Sequence, residues 1–103
     1  MPLVARGNSV DVVNTGHVCC AVPIDIATLS GSDNVFVNGE PIHRLTDTNT
    51  PHDHCPGVRS TLIDKASETV FANELGVARL GDTYDCTAYV KEVTQTTVYA
   101  DGE

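Results

Sequence analysis

The segment SDNVFVNGEPIHRLTD, residues 32–47, decides the fold of this chain because the sequence repeats it. Shifted by 35 positions (67 − 32), it reappears as SETVFANELGVARLGD at residues 67–82, with seven of sixteen places identical. A third copy is divided between the two ends of the chain. PLVAR at residues 2–6 matches the second half of the segment, and TVYAD at residues 97–101 matches the first half. We therefore expect the two termini to meet.

Copies of a unit too small to bury its own apolar face are stable when they pack on one another, which predicts three units around a pseudo-threefold axis. In the first copy, Asn38-Gly39 lies between two alternating runs, the strongest short-range signal for a two-residue hairpin turn with positive φ. The second copy contains helix formers. Because its twin carries Asn38-Gly39 and Pro41, which do not fit the middle of a helix, both copies are predicted to be hairpins. Glu74-Leu75-Gly76 departs from the Asn-Gly-x-Pro of the first copy and leaves a different turn type open there.

The length of 103 residues predicts one domain, residues 1–103, with a modest core. Aromatic residues make up only 5% of the chain, and Val, Ile, Thr and Ala supply most of the apolar surface, so the fold class is mainly β. The net charge of −8 argues against a nucleic-acid or anionic-membrane ligand, since phosphate binding needs clustered Lys and Arg.

No apolar run approaches the roughly 20 residues that span a bilayer, and the N-terminus lacks the pattern of an export signal. Without such a signal, cysteines are expected to be thiols or metal ligands rather than disulfides. The chain has four: Cys19, Cys20, Cys55 and Cys86.

A potential metal ligand follows the arginine of each copy. His17 comes eleven residues after Arg6, His52 eight after Arg44, and Cys86 seven after Arg79. Equivalent positions in three copies converge on one axis. Zinc in a structural role takes four nitrogen or sulfur ligands in a closed tetrahedron, so a fourth ligand is needed.

Two histidines are candidates for the fourth ligand. His43 occupies the place of Ala5 and Ala78 in the other copies and should point to the same interior surface near the axis. His54 lies two residues beyond His52 and faces the same side if that segment is extended. We favour His43, with His54 as the alternate, and zinc over iron. A cysteine-rich site that joins Cys86 to the other three cysteines is weakened by the absence of a C-x-x-C pair.

The segments PLVAR, PIHR and GVARLGD, with V-F-V-N-G and V-F-A-N before two of them, resemble the PAAR-repeat family. The first copy departs from the pattern because Ser9 stands where Asp47 and Asp82 follow the other arginines. We expect the arginines and aspartates to make repeated salt bridges or backbone hydrogen bonds that fix the hairpins.

The resemblance implies a small cone of β-hairpins whose vertex holds a metal ion. Its broad base would sit on the C-terminal end of a trimeric β-helical spike, one copy per trimer. Such spikes belong to contractile injection machines, the phage tails and type VI secretion systems. The implied location is a virion tail tip or the secreted spike, after synthesis in the bacterial cytoplasm without a signal peptide, with only transient contact with the target envelope. The repeats fill the chain, so no attached effector domain is expected.

Three functions are compatible with the residues alone. The first is a structural, metal-stabilised tip. The second is a small zinc hydrolase in which Glu40 or Asp53 serves as the base beside a zinc-bound water. The third is a free-standing zinc-binding interaction module. A closed set of four ligands leaves no position for water, and three hairpins leave little chain for a substrate cleft, so the sequence favours the tip.

Overall fold

The computed structural model of the chain describes residues 2–16, 23–53 and 57–101. These residues contain no helix. Their nine short strands are β1 (Val12–Asn14), β2 (Asp25–Ala27), β3 (Phe36–Val37), β4 (Glu40–Pro41), β5 (His52–Asp53), β6 (Val58–Arg59), β7 (Phe71–Ala72), β8 (Leu75–Gly76) and β9 (Tyr89–Glu92). Strands β2, β1 and β9 form one antiparallel sheet, and β3–β4, β5–β6 and β7–β8 are separate hairpins. The mainly-β class is confirmed.

A closed ring of backbone hydrogen bonds joins the three copies. The N–H of Ala5 donates to the carbonyl of Ala78 (2.9 Å), that of Ala78 to His43 (2.8 Å), and that of His43 to Ala5 (3.1 Å). All three residues are fully buried. Because each copy donates to one neighbour and accepts from the other, the ring closes after three copies. The predicted pseudo-threefold axis is confirmed.

A second set of contacts repeats around the same axis. In each copy the backbone of the arginine forms an antiparallel β-bridge with a residue of the neighbouring copy. That residue stands two places before the neighbouring arginine. The pairs are Arg6 with Ile42, Arg44 with Val77, and Arg79 with Val4.

The third hairpin is assembled from the two ends of the chain, as predicted. The N–H of Val4 donates to the carbonyl of Val98 at 3.0 Å, and that of Ala100 to the carbonyl of Pro2 at 3.0 Å. The first of these bonds has a counterpart of 3.0 Å inside each continuous hairpin, Ile42 to Val35 and Val77 to Val70. The termini therefore close a hairpin at the place where the other two copies have a turn.

The two continuous hairpins have turns of the same kind. Asn38 and Gly39 have φ values of 49° and 88°, and Asn73 and Glu74 have 53° and 69°. Positive φ at both central residues is typical of the type I′ turn, which matches the twist of a two-stranded hairpin. The second copy is thus a hairpin and not a helix, and its turn type does not differ. Glu74 adopts a conformation that usually requires Gly or Asn.

Arg44 and Arg79 each pair with the aspartate three residues later. The Nε of Arg44 lies 2.9 Å from Asp47 Oδ2, and the Nε of Arg79 lies 2.9 Å from Asp82 Oδ2. The same oxygens accept the backbone N–H of the arginines at 2.8 and 2.9 Å. These bonds confirm the predicted salt bridges in two copies.

The first copy builds the equivalent turn with a different residue. The N–H of Arg6 donates to Asp11 Oδ2 at 2.7 Å, so Asp11 replaces the aspartate of the other copies. Asn8 and Ser9, with φ values of 61° and 65°, accommodate the longer loop. The guanidinium of Arg6 donates instead to two backbone carbonyls at the turn between β3 and β4, both at 3.2 Å.

Two apolar clusters lie on either side of the ring. One joins the inward-facing residues of the three hairpins: Val4, Val37, Ile42, Ala72, Val77 and Ala100. The other contains the two ring alanines, residues of β1 and β9, and residues of the loops: Ala5, Val13, Ile63, Ala66, Ala78, Tyr84, Ala88 and Val90. We call the side with the hairpin turns and termini the hairpin end, and the opposite side the vertex.

Glu74→Gly should raise the free energy of unfolding by roughly 0.5–1 kcal/mol, because glycine adopts positive φ without the steric cost that an L side chain meets. Denaturant titration measures this. Gly39→Ala is the matched control in the equivalent turn, where a Cβ would meet nothing within 4 Å, so only φ is at issue. It should destabilise the protein. A destabilising Glu74→Gly would contradict the type I′ assignment.

Candidate metal centre at the vertex

The loops that precede residue 17 and follow Cys86 are joined at the vertex. Thr87 Oγ1 donates to the carbonyl of Thr15 at 2.7 Å. A Cβ on Gly16 would lie 2.2 Å from the carbonyl oxygen of Thr87, so glycine is required for this approach. Gly16 also has a φ of 70°. The chain that leads into residue 17 is therefore held against the neighbour of Cys86.

Cys86 is half-buried, and two polar groups approach its sulfur. The N–H of Ala88 donates to Sγ at 3.3 Å, and the Cys86 thiol donates to Thr61 Oγ1 at 3.3 Å. Thr61 Oγ1 also accepts a hydrogen bond from Asn49 Nδ2 at 2.8 Å, so its own hydroxyl hydrogen could turn to the sulfur if Cys86 bound a metal as a thiolate. Hydrogen bonds to sulfur tune metal-bound thiolates. The surroundings of Cys86 therefore suit a metal ligand.

His52 lies in β5, in the hairpin that approaches Cys86. It pairs with Arg59 of β6, and β6 leads to Thr61, the neighbour of the Cys86 sulfur. The Nδ1 of His52 is 2.8 Å from the carbonyl of Thr50. A carbonyl only accepts, so Nδ1 donates, and Nε2 is the ring nitrogen that could bind a metal. A backbone carbonyl on one ring nitrogen is the usual support of a metal-ligating histidine.

His43 lies on the axis, and both of its ring nitrogens are hydrogen-bonded. Nδ1 is 2.7 Å from the carbonyl of Ser30, and Nε2 is 2.8 Å from the hydroxyl of Tyr84. A carbonyl only accepts, so Nδ1 donates and the lone pair of Nε2 accepts the hydrogen of Tyr84. Burial lowers the pKa of His43, which favours the neutral ring. Coordination by His43 would require Nε2 to give up the bond to Tyr84.

The predicted ligands fall into two groups. His43, His52 and Cys86 are described, and within residues 2–16, 23–53 and 57–101 no group of three or more His, Cys, Asp or Glu side chains is placed to hold a metal ion. His17, the alternate His54, and Cys19, Cys20 and Cys55 lie outside the described residues. The ligand set therefore stays a prediction.

The arrangement of three hairpins, each followed by an arginine and a loop, corresponds to a known motif. The model of the PAAR motif matches residues 25–92, more than half of the 103-residue chain. The chain belongs to the PAAR family. No curated protein matches it. Membership points to a spike-tip protein of contractile injection systems, a structural family whose members associate with a spike protein.

The residues of this PAAR vertex fit zinc by their chemistry. His52 and Cys86, both within the matched span, supply the nitrogen and sulfur donors that zinc prefers. Each has a hydrogen-bonding partner of the kind that orients a ligand. When bound, zinc would link the loops mechanically and would supply no reactive position if the set is closed.

Three residues that matter here were missed by sequence reasoning. Asp11 had a weak signal, because a first copy without its aspartate needs a substitute nearby. Thr61 and Tyr84 had none. Their roles depend on contacts with Cys86 and His43 at sequence separations of 25 and 41 residues, which no local pattern encodes.

His43→Ala should lower the free energy of unfolding by roughly 2–4 kcal/mol and leave the metal content unchanged. The substitution removes both hydrogen bonds of a fully buried ring, leaves the Tyr84 hydroxyl without its acceptor, and opens a cavity on the axis. Denaturant titration and elemental analysis of the same preparation measure the two effects.

His54→Ala is the comparison for His43→Ala, and we expect it to lose metal. The reverse pattern, with metal retained in His54→Ala and lost in His43→Ala, would identify His43 as the fourth ligand, as the sequence predicts. Should His43→Ala not fold, Tyr84→Phe removes only the bond to Nε2. It should cost about 1 kcal/mol without loss of metal.

Proposed function

We propose that this PAAR protein is the tip that caps and sharpens the trimeric β-helical spike of a contractile injection system, and that it has no catalytic role. The observation that carries the proposal is the closed ring of Ala5, His43 and Ala78. A body with three pseudo-equivalent faces can present the same contact to each subunit of a trimer. One such chain can therefore contact all three subunits at the end of the trimer at once.

We further propose that one zinc ion holds the vertex, with iron as the second choice. The ligands would be His17, His52, Cys86 and one more histidine. His54 is the better fourth ligand, because the Nε2 of His43 already accepts a hydrogen bond from Tyr84. The joined loops at Thr15 and Thr87 support the inclusion of His17.

The proposed location follows the spike, at a phage tail tip or with the secreted spike of a type VI system. Among the residues described, none forms a helix with the length and hydropathy to cross a membrane. The proposed contact with the target envelope is the transient one of a piercing tip.

Metal removal should destabilise the protein markedly, because the site exists only when distant segments of the chain meet and binding energy is then folding energy. We expect one zinc per chain by elemental analysis and a thermal midpoint that falls in excess chelator at neutral pH. Cys86→Ala, whose own packing loss is small, should show the lower midpoint without chelator. An unchanged midpoint after complete metal removal would contradict the metal staple.

One chain should bind one spike trimer, because the pseudo-threefold body has a single hairpin end to place on the threefold axis. A stable complex should bury on the order of 1,000 Å² or more in total. Light scattering of the chain mixed with its cognate spike trimer gives the mass of the complex. Three chains per trimer, or no complex, would contradict the tip function.

A further inference from the structure

Each of the three hairpins exposes one aromatic side chain at the same place. Phe36, Phe71 and Tyr99 are 56%, 58% and 50% exposed, and we call them the aromatic triad. The residue after each one is buried: Val37, Ala72 and Ala100. Because successive side chains of a strand point to opposite faces, the backbone directs the triad outward.

The position of the triad is set by the hairpin pairing and not by chance exposure. Its members lie opposite the second strand of their own hairpins, in the pairs Phe36 with Pro41, Phe71 with Gly76 and Tyr99 with Leu3. The three aromatic rings are therefore related by the same axis as the Ala5, His43 and Ala78 ring. A partner that contacts one of them in a symmetric way contacts all three.

The triad uses side chains that the apolar cluster beneath it does not. The chain has only two Phe and no Trp, and both Phe are in the triad, whereas Val, Ile and Ala fill the cluster beneath it. A lone exposed aromatic needs no explanation. Val or Thr would form these strands equally well, so strand propensity does not explain the aromatic side chains. Aromatic side chains held at three equivalent surface positions are instead typical of interface anchors.

Carboxylates surround the triad. Exposed acidic residues at the hairpin end are Asp33, Glu68, Glu74 and Asp101. The hairpin arginines Arg6 and Arg79 are buried, and Arg44 is half-buried and bound to Asp47, so they do not offset this charge at the surface. A partner surface with lysine or arginine would complement it.

A groove beside Phe71 has the same character. It has a volume of about 410 Å³. Leu45, Ala66 and Phe71 line it together with three carboxylates (Asp64, Glu68 and Glu74) and one cation, Lys65, whose Nζ lies 3.6 Å from Asp82 Oδ1. An apolar floor with carboxylates at the rim suits a lysine or arginine side chain, whose stem packs on the floor while its cation faces the carboxylates and the aromatic ring.

We propose that the aromatic triad and its acidic rim form the docking surface of the hairpin end. The occupant is a threefold-symmetric protein end that offers three equivalent apolar clefts flanked by lysine or arginine. This inference rests on the proposed function and specifies which residues contact the spike and what chemistry the spike end must have.

Affinity for the cognate spike trimer, measured by surface plasmon resonance, tests the docking surface. Phe36→Thr, Phe71→Thr and Tyr99→Thr keep a β-former at each place and remove the ring. Each should weaken Kd by about tenfold or more, the three losses should be similar, and the triple variant should not bind detectably. Tyr89→Thr, which removes an exposed aromatic of β9, is the control and should leave Kd unchanged. Circular dichroism and metal content of all variants should match the parent protein.

A second arm tests the charge. Glu68→Lys combined with Glu74→Lys should weaken Kd by about tenfold and reduce its dependence on salt, since surface charge pairs are screened.

The outcomes separate the docking surface from the proposed function. If the parent chain binds the trimer and the triad variants bind equally well, the docking surface is wrong and the tip function stands. If one ring carries all of the loss, the symmetric occupant is wrong. Triad-dependent self-association of the chain alone would make a second copy the occupant and would overturn the proposal. If the parent chain does not bind, the tip function fails and the docking surface fails with it.

Discussion

The ring of three backbone hydrogen bonds on the axis is the constraint on which the rest of the structure depends. It requires the backbones of three copies to approach the axis at the same depth, which leaves little room for side chains there. Ala5 and Ala78 meet this requirement by size. His43 meets it because its ring lies against Ser30 and Tyr84, where both nitrogens are satisfied. The axis is therefore threefold in its backbone and asymmetric in its side chains.

Sequence reasoning succeeded where copies could be compared with one another. The twin of the second copy excluded a helix, and the divided third copy predicted that the termini would meet, as the bond from Val4 to Val98 shows. Reasoning failed where a copy had no counterpart. Asp11 accepts the backbone N–H of Arg6 as Asp47 accepts that of Arg44, although it lies at a different distance from its arginine along the sequence. The partners of His43 are brought to it only by the packing of distant segments. The metal ligands were predicted by spacing, and His17 and His54 lie outside the described residues.

The two sides of the ring are stabilised by different means. At the hairpin end, backbone pairing within and between copies supplies most of the order, so side chains there are available to face outward. At the vertex, loops are joined by single side-chain bonds such as Thr87 to Thr15 and Cys86 to Thr61. A small domain whose loops meet through so few bonds would benefit from the proposed metal staple at that end.

This division explains which residues the copies share. The copies keep an aromatic residue at the exposed triad position and an arginine beside the ring, yet the proposed vertex ligands differ in spacing and in one case in type. His17, His52 and Cys86 follow their arginines by eleven, eight and seven residues. A threefold partner would demand the same contact from each copy, whereas a single tetrahedral ion demands only a suitable donor from each loop. Selection for symmetry should then act on the hairpin end alone. The three copies differ at the vertex and are alike at the hairpin end. This is the pattern expected if one chain connects a threefold-symmetric spike to a single point.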